Sequence, residues 1–309
     1  MYTKKELIKE LGYSGKEKDV FMPNEIFEDI RSNQRISKSS SHVAFAYSYV
    51  YLICWLYRYC KYGENDNLQK VSAIKKILTY SETNKTLDYI IKQDGELDMM
   101  RYTKTDKDFP QSWHLDDYGT LLFEMFYESI DEDIKSYLKI NPRNIKIKTP
   151  LKAFHRNDES IEERLLDGTF YDISNTHNVS FDVFLFCMSH KELGCTGFYL
   201  YSFFKFKCDM FKTGVDISLE AITEQTGIKA DLRDRTLASL KKYNMIKSKP
   251  TNFVPGIPHY ERRASKYKIN EFEYFSGGST TYEVRKVIPL DEWEKEQKEN
   301  EKLKKILPF

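Results

Sequence analysis

The chain has 309 residues, about twice the length of a common domain, so two domains of roughly 150 residues are expected and a single small module is excluded. Hydrophobic residues make up 40% and charged residues 31%, with 13 Gly and 9 Pro, a balance that excludes a disordered or fibrous chain. Forty-eight Lys and Arg face 47 Asp and Glu for a net charge of +1, so no global field draws the molecule to nucleic acid or anionic lipid, and any such attraction must be local.

The five cysteines are odd in number and scattered, which argues against a disulfide framework and for reduced thiols inside a cell. The opening MYTKKELIKELGY carries charge where a signal peptide needs an apolar stretch, and the one long apolar run, Val43 to Tyr57, is too short to span a bilayer. A cytoplasmic protein without membrane association is the expectation.

In chain order, residues 1–35 read as an N-terminal adaptor, with Leu7, Ile8 and Leu11 on one face of a short helix and a second short helix after Pro23. After the capping serines of 37–41, VAFAYSYVYLICWLYRYC is apolar on every side and predicts a central helix. Leu68, Val71, Ile74, Ile77 and Leu78 recur at helical spacing, and a shorter helix over 83–93 ends at Asp94-Gly95. ELDMMRYT and a strand near Phe109 to Trp113 flank KTDKD and predict a hairpin. Helix, helix, turn, helix, hairpin is the order of a winged helix, so 36–150 is expected to be a first such domain.

Residues 114–180 are less legible, with a helical stretch expected around Leu121 to Leu138 and a linker over 151–179. From Ser180 the scheme repeats: FDVFLFCM, GFYLYSFFKFKCDMF, ISLEAITEQTGI, a helix from about Ala230 to Tyr243, a strand from Met245 to Lys249, a Pro-containing loop and a returning strand in ERRASKYKI. The expected fold class is therefore mainly α with small β-wings (α+β), in two tandem winged-helix domains. The second covers 180–290, followed by a charged tail over 291–309.

The sharpest local signal lies in that second half. Ser218 caps a helix that buries Leu219 and Ile222, Gly227 supplies the tight turn, and Ile228 plugs the angle before the next helix. At about 100° per residue, Leu232, Thr236, Leu240 and Tyr243 fall on one side of that helix with Leu237 at its margin. Asp234, Arg235, Ala238, Lys241 and Lys242 face away. From Lys191 to Lys268 there are 15 basic and eight acidic residues, a local charge of +7. Double-stranded DNA is the partner such a face predicts. The expected contacts are Lys229, Arg233, Arg235, Ser239, Lys241 and Lys242, with Arg262, Arg263, Lys266 and Lys268 from the wing. Between Gln69 and Pro110, by contrast, eight bases face seven acids, and the candidate helix shows Lys85, Asp88 and Lys92, a mixed surface suited to protein contacts.

The segment ISLEAITEQTGIKADLRDRTLASLKKYNMI resembles the winged helix-turn-helix of bacterial regulators and initiators. The order and size of the two halves resemble the replication initiators of bacterial plasmids and some phages. That resemblance implies recognition of repeated origin DNA by one winged helix, expected to be the second, dimerisation or secondary DNA contact by the other, recruitment of host replication proteins, and no enzymatic step or cofactor. A transcriptional regulator, such as a phage repressor or anti-repressor, and an interaction adaptor built on winged helices are the alternatives.

Enzymatic signatures are missing from the sequence. There is no GxxxxGK[ST] loop or Gly-rich dinucleotide fingerprint, and His42, His114, His155, His177, His190 and His259 are scattered rather than paired. Asp116-Asp117 and Asp131-Glu132-Asp133 read as surface or helix ends. Cys187, His190, Cys195 and Cys208 have the donor types for Zn²⁺, yet the cysteines sit in apolar company and are expected to be buried hydrophobes instead, with no metal. The terminal KKILPF offers a short apolar peptide for a host partner such as a sliding clamp.

Overall fold

The computed structural model describes residues 1–131, 145–211, 213–257, 264–278 and 280–306 of the chain. The first half runs α1 (Lys4–Leu11), β1 (Phe21–Pro23), α2 (Ile26–Ser32), α3 (Ser40–Arg58), α4 (Val71–Ile77), α5 (Asp88–Ile91), α6 (Glu96–Met99), β2 (Thr103–Asp106), β3 (Pro110–Leu115), β4 (Leu121–Met125), α7 (Phe126–Ser129) and β5 (Ile147–Pro150). It continues through α8 (Leu151–Phe154), α9 (Asp158–Glu162) and β6 (Thr176–Asn178) into α10 (Phe181–Met188), α11 (Gly194–Met210), β7 (Val215–Ile217), α12 (Leu219–Thr226), α13 (Ala230–Lys242), β8 (Ile246–Lys249), β9 (Ser265–Ile269) and α14 (Leu290–Ile306). The chain is roughly half helical with small antiparallel sheets, an α+β fold that is mainly α.

A helix that is apolar all round has to be surrounded, and α3 is: every residue from Val43 to Tyr57 is buried. Its main partner is α11, whose residues Phe198 to Phe204 are also buried. The seam is aromatic, with Tyr51 edge-on to Phe198 at 4.6 Å between ring centroids and Tyr47 edge-on to Tyr199 at 5.4 Å. Trp55 stacks flat on Phe181 of α10 at 3.8 Å. One hydrophobic cluster runs from Leu7 to Tyr267 across both halves. The segment expected as an adaptor contributes Leu7, Leu11, Ile26 and Ile30 to it. The expected linker carries two short helices and β6, which pairs antiparallel with β1, and Phe154 packs edge-on to Tyr57 at 5.4 Å.

Three strand expectations are corrected. ELDM forms helix α6, and β2 pairs with β5 across more than forty residues instead of closing a hairpin over KTDKD. The strand near Trp113 pairs with Leu121–Met125, which is β4 rather than the start of a helix. The second half has a third strand, β7, giving the sheet order β7-β9-β8. Of the rest of the helix expected up to Leu138, Phe126–Ser129 is the short helix α7, and residues 132–138 lie outside the described ones. No helix among the described residues is long and apolar enough to cross a membrane.

His177 ties β6 to this core. Tyr47 donates its hydroxyl to Nε2 at 2.7 Å, Nδ1–H donates to Asn24 Oδ1 at 3.0 Å, and the ring stacks on Tyr47. Burial holds its pKa down at about 3, so the neutral ring is favoured in the fold while the unfolded chain takes up a proton below about 6.5. Stability should therefore fall as pH drops from about 6.5 toward 3, by up to about 1.4 kcal/mol per unit from this residue. In His177→Gln, urea midpoints measured at neutral pH and in mild acid should lie closer together than in the parent chain.

Candidate nucleic-acid interface

Helices α12 and α13 meet at a turn built from local signals and held from outside. Ser218 caps α12 by accepting from Ala221 N–H at 3.0 Å, and Gly227 takes φ 70°, the left-handed region where glycine is unstrained. Ile228 is fully buried between the helices. The Ser40 hydroxyl at the start of α3 donates to Gly227 C=O at 3.3 Å and accepts from Lys229 N–H at 2.9 Å. Tyr199 of α11 donates to Thr226 C=O at 3.0 Å. The side of α13 expected to face inward does so: Thr236, Leu240, Tyr243 and the marginal Leu237 are buried, and Leu232 is half-buried against the core.

The cations expected at the surface separate into three groups. Lys229 and Arg235 are exposed, Arg235 donating to Asp231 C=O at 3.2 Å, while Ser239 donates to Arg235 C=O. Asp231 and Asp234 are exposed on the same helix, so its open half is of mixed charge. Lys242 is tied to Glu192 at 2.9 Å, and Lys241 is half-buried, its ammonium 4.6 Å from the Tyr282 ring and its pKa pulled down by burial. Arg233 is corrected: it is 7% exposed and donates to Leu219 C=O at 2.7 Å, Thr223 Oγ1 at 2.8 Å and Asp234 Oδ1 at 2.7 Å. It pins α13 to α12 instead of facing solvent, because its long side chain reaches acceptors on the neighbouring helix. Arg262 and Arg263 lie outside the described residues.

The densest positive charge is on the sheet. In the β8–β9 register Lys247 stands opposite Lys268 and Lys249 opposite Lys266. Tyr267, Val215, Ile217 and Ile246 occupy the inner face, and period-2 alternation sends the four lysines outward. Lys247, Lys249 and Lys268 are exposed and Lys266 is half-exposed. None of the four makes an ion pair among the described residues, and the one carboxylate in register beside them is Asp216, opposite Lys266 on β7. Like charges directly opposite on a sheet are destabilising, so this face stores repulsion that a polyanion would relieve. Lys247 and Lys249 are not among the contacts expected from the sequence. The signal that finds them is IKSK set against SKYKI, two strands alternating lysine on the same side.

The first half differs. Lys75 is buried and bonds Asp88, Lys148 is buried against Asp98 at 2.6 Å, and Lys76 pairs with Glu82 at 2.8 Å, while Lys85 and Lys92 are exposed.

Three of the four candidate zinc donors have other partners, and the fourth, Cys187, is fully buried in the apolar core. Cys195 Sγ–H donates to Leu78 C=O at 3.2 Å, Cys208 to Tyr267 C=O at 3.8 Å, and His190 Nδ1 to Phe186 C=O at 2.7 Å. Burial pushes the Cys195 thiol up to about 12 and Cys187 well above its usual range. Among the described residues no group of three or more His, Cys, Asp or Glu could hold a metal ion. The KKILPF peptide falls partly outside the described residues, the last helical residue being Ile306.

No protein-family model, curated protein or solved structure matches the chain.

If Arg233 is a clamp, Arg233→Met should lower unfolding stability by about 2–3 kcal/mol by leaving Leu219 C=O and Thr223 unpartnered. Arg235→Met, at an exposed position, should stay within about 0.5 kcal/mol of the parent in the same chemical denaturation.

Proposed function

We propose that the chain binds double-stranded DNA through residues 194–269, a winged helix-turn-helix in which α12 supports α13 and the β8–β9 pair forms the wing. What carries this reading is the face of four lysines without ion pairs among the described residues, on a unit ordered helix, strand, helix, helix, strand, strand, with sheet order β7-β9-β8. Recognition is assigned to the open half of α13, where Lys229 and Arg235 sit, with Ser239 at its edge. Lys247, Lys249, Lys266 and Lys268 provide sequence-independent attraction to phosphates. Lys242 joins them only when its bond to Glu192 opens.

Within DNA-binding proteins the reading favoured is a replication initiator acting on repeated origin DNA, with no chemical step of its own. Supporting it is an architectural parallel: each half has a long buried helix, then short helices, then an antiparallel strand pair, α3 to β2–β5 in one and α11 to β8–β9 in the other. The mixed-charge surface of the first half, where Lys85 and Lys92 are exposed, suits protein contacts, either with a second copy or with host replication proteins.

Fluorescence anisotropy on a labelled duplex tests the DNA assignment. Converting Lys247, Lys249, Lys266 and Lys268 to Gln should weaken binding to all sequences and reduce the slope of log affinity against log salt by about 0.9 for each phosphate no longer neutralised. The same variant should be no less stable than the parent at low salt. An unchanged affinity and slope would remove the sheet from the interface. Arg235→Ala should relax sequence preference. Selection of bound fragments from the DNA encoding this gene separates an initiator, which recovers clustered repeats, from a transcriptional regulator, which recovers a promoter.

A further inference from the structure

At the far end of α3 from the turn, a cavity of about 290 Å³ opens between that helix, the chain entering β1 and the loop after α9. Val20, Phe21, Phe170 and Ile173 give it apolar walls, and Arg58, Thr169, Tyr59 and Asp19 are its polar members. Two of these polar groups are unsatisfied. Arg58 Nη1 and Thr169 Oγ1 are both sheltered from solvent with no hydrogen-bond partner, and Thr169 is only 2% exposed. Arg58 makes no ion pair among the described residues; its guanidinium is flanked by the Trp113 ring at 4.4 Å and the Tyr59 ring at 5.4 Å. The other polar members are engaged, since Asn178 donates to Asp19 Oδ1 at 2.8 Å and Tyr59 donates to Asp19 C=O at 3.1 Å.

A guanidinium drawn out of water is costly unless a counter-charge meets it, and ring faces compensate only in part. Burial accordingly lowers the pKa of Arg58, the direction expected of a cation without its anion. One cation and one hydroxyl match the two oxygens of a single carboxylate. The Asp19 carboxylate in the same wall disfavours a second negative charge, and the apolar walls ask for hydrocarbon. A cavity of about 150 Å³ already holds benzene, so this one has room for an acid of one or two rings or a short aliphatic chain.

We propose that this cavity binds a small monocarboxylic acid, its carboxylate taken by Arg58 and Thr169 and its apolar body laid against Phe21, Phe170 and Ile173. The site is independent of the DNA-binding assignment and is tested without DNA. Benzoate and hexanoate, with benzamide as the uncharged isostere, are titrated into the full-length chain by calorimetry and ligand-observed NMR. At least one acid should bind in the millimolar range or better, benzamide should not, and Arg58→Met should raise the dissociation constant by about tenfold or more. Thr169→Val should weaken binding less. Ile173→Trp, at an exposed residue of the cavity wall, should block binding while leaving the unfolding midpoint in place, and it serves as the decisive variant if Arg58→Met fails to fold. The proposal is overturned if neither acid binds at about 10 mM, if benzamide binds equally well, or if binding survives in both Arg58→Met and Ile173→Trp.

Discussion

Ring-on-ring packing between α3 and α11 is the constraint from which the other elements take their places. Two helices with so much aromatic surface can only exist inside a fold, and each is the other's main packing partner. Tyrosine does a second job that phenylalanine could not. The hydroxyls of Tyr51, Tyr62, Tyr199 and Tyr201 reach out of the core to the carbonyls of Val179, Lys148, Thr226 and Asn270, each within 3.1 Å. Each such bond is worth about 1 kcal/mol, and together they fasten neighbouring strands, helix ends and loops to the aromatic core. The 22 tyrosines of the composition are thus partly a set of anchor points.

The lysine face is a consequence of the same packing. Tyr267 stacks on Phe204 of α11 at 4.9 Å, which fixes the side of β9 that looks inward. A slip of one residue would bury Lys266 and Lys268 and expose Tyr267, so the core contact and the cationic surface are two sides of one register. The repulsion between opposed lysines is therefore imposed on the sheet by an apolar contact on its other side.

The α12–turn–α13 unit is legible in the sequence because its determinants are local: the Ser218 cap, the φ 70° glycine and the inward spacing of Thr236, Leu240 and Tyr243 all lie within 26 residues. The β2–β5 pairing is not, because partners at Thr103 and Pro150 carry no mutual signal in the intervening chain. The apolar content of Leu121–Met125 suggests a helix, yet alternation of buried and exposed residues along it is the strand's period. Arg233 shows a different limit. At about 100° per residue Arg233 falls between Leu240 and Leu237, on the inward side of α13, so the expectation of a DNA contact followed its charge and not its place on the helix, and the guanidinium there meets the Leu219 carbonyl and the Thr223 hydroxyl of the second helix.

The net charge of +1 conceals a division of labour between paired and unpaired cations. In the first half Lys61, Lys75 and Lys148 are buried and spent on acids or carbonyls, so they hold structure together. Among the cations without an ion pair in the described residues are the sheet lysines, on one outer face, and Arg58, in the wall of a cavity. The turn and the cavity sit at opposite ends of a single rod: Ser40, which holds the turn between α12 and α13, opens α3, and Arg58 closes it. At 1.5 Å per residue these ends are about 27 Å apart, and the rod between them is encased in rings on every side. Any influence of an acid at Arg58 on the helix pair would have to displace α3 along its axis or shift α11 with it.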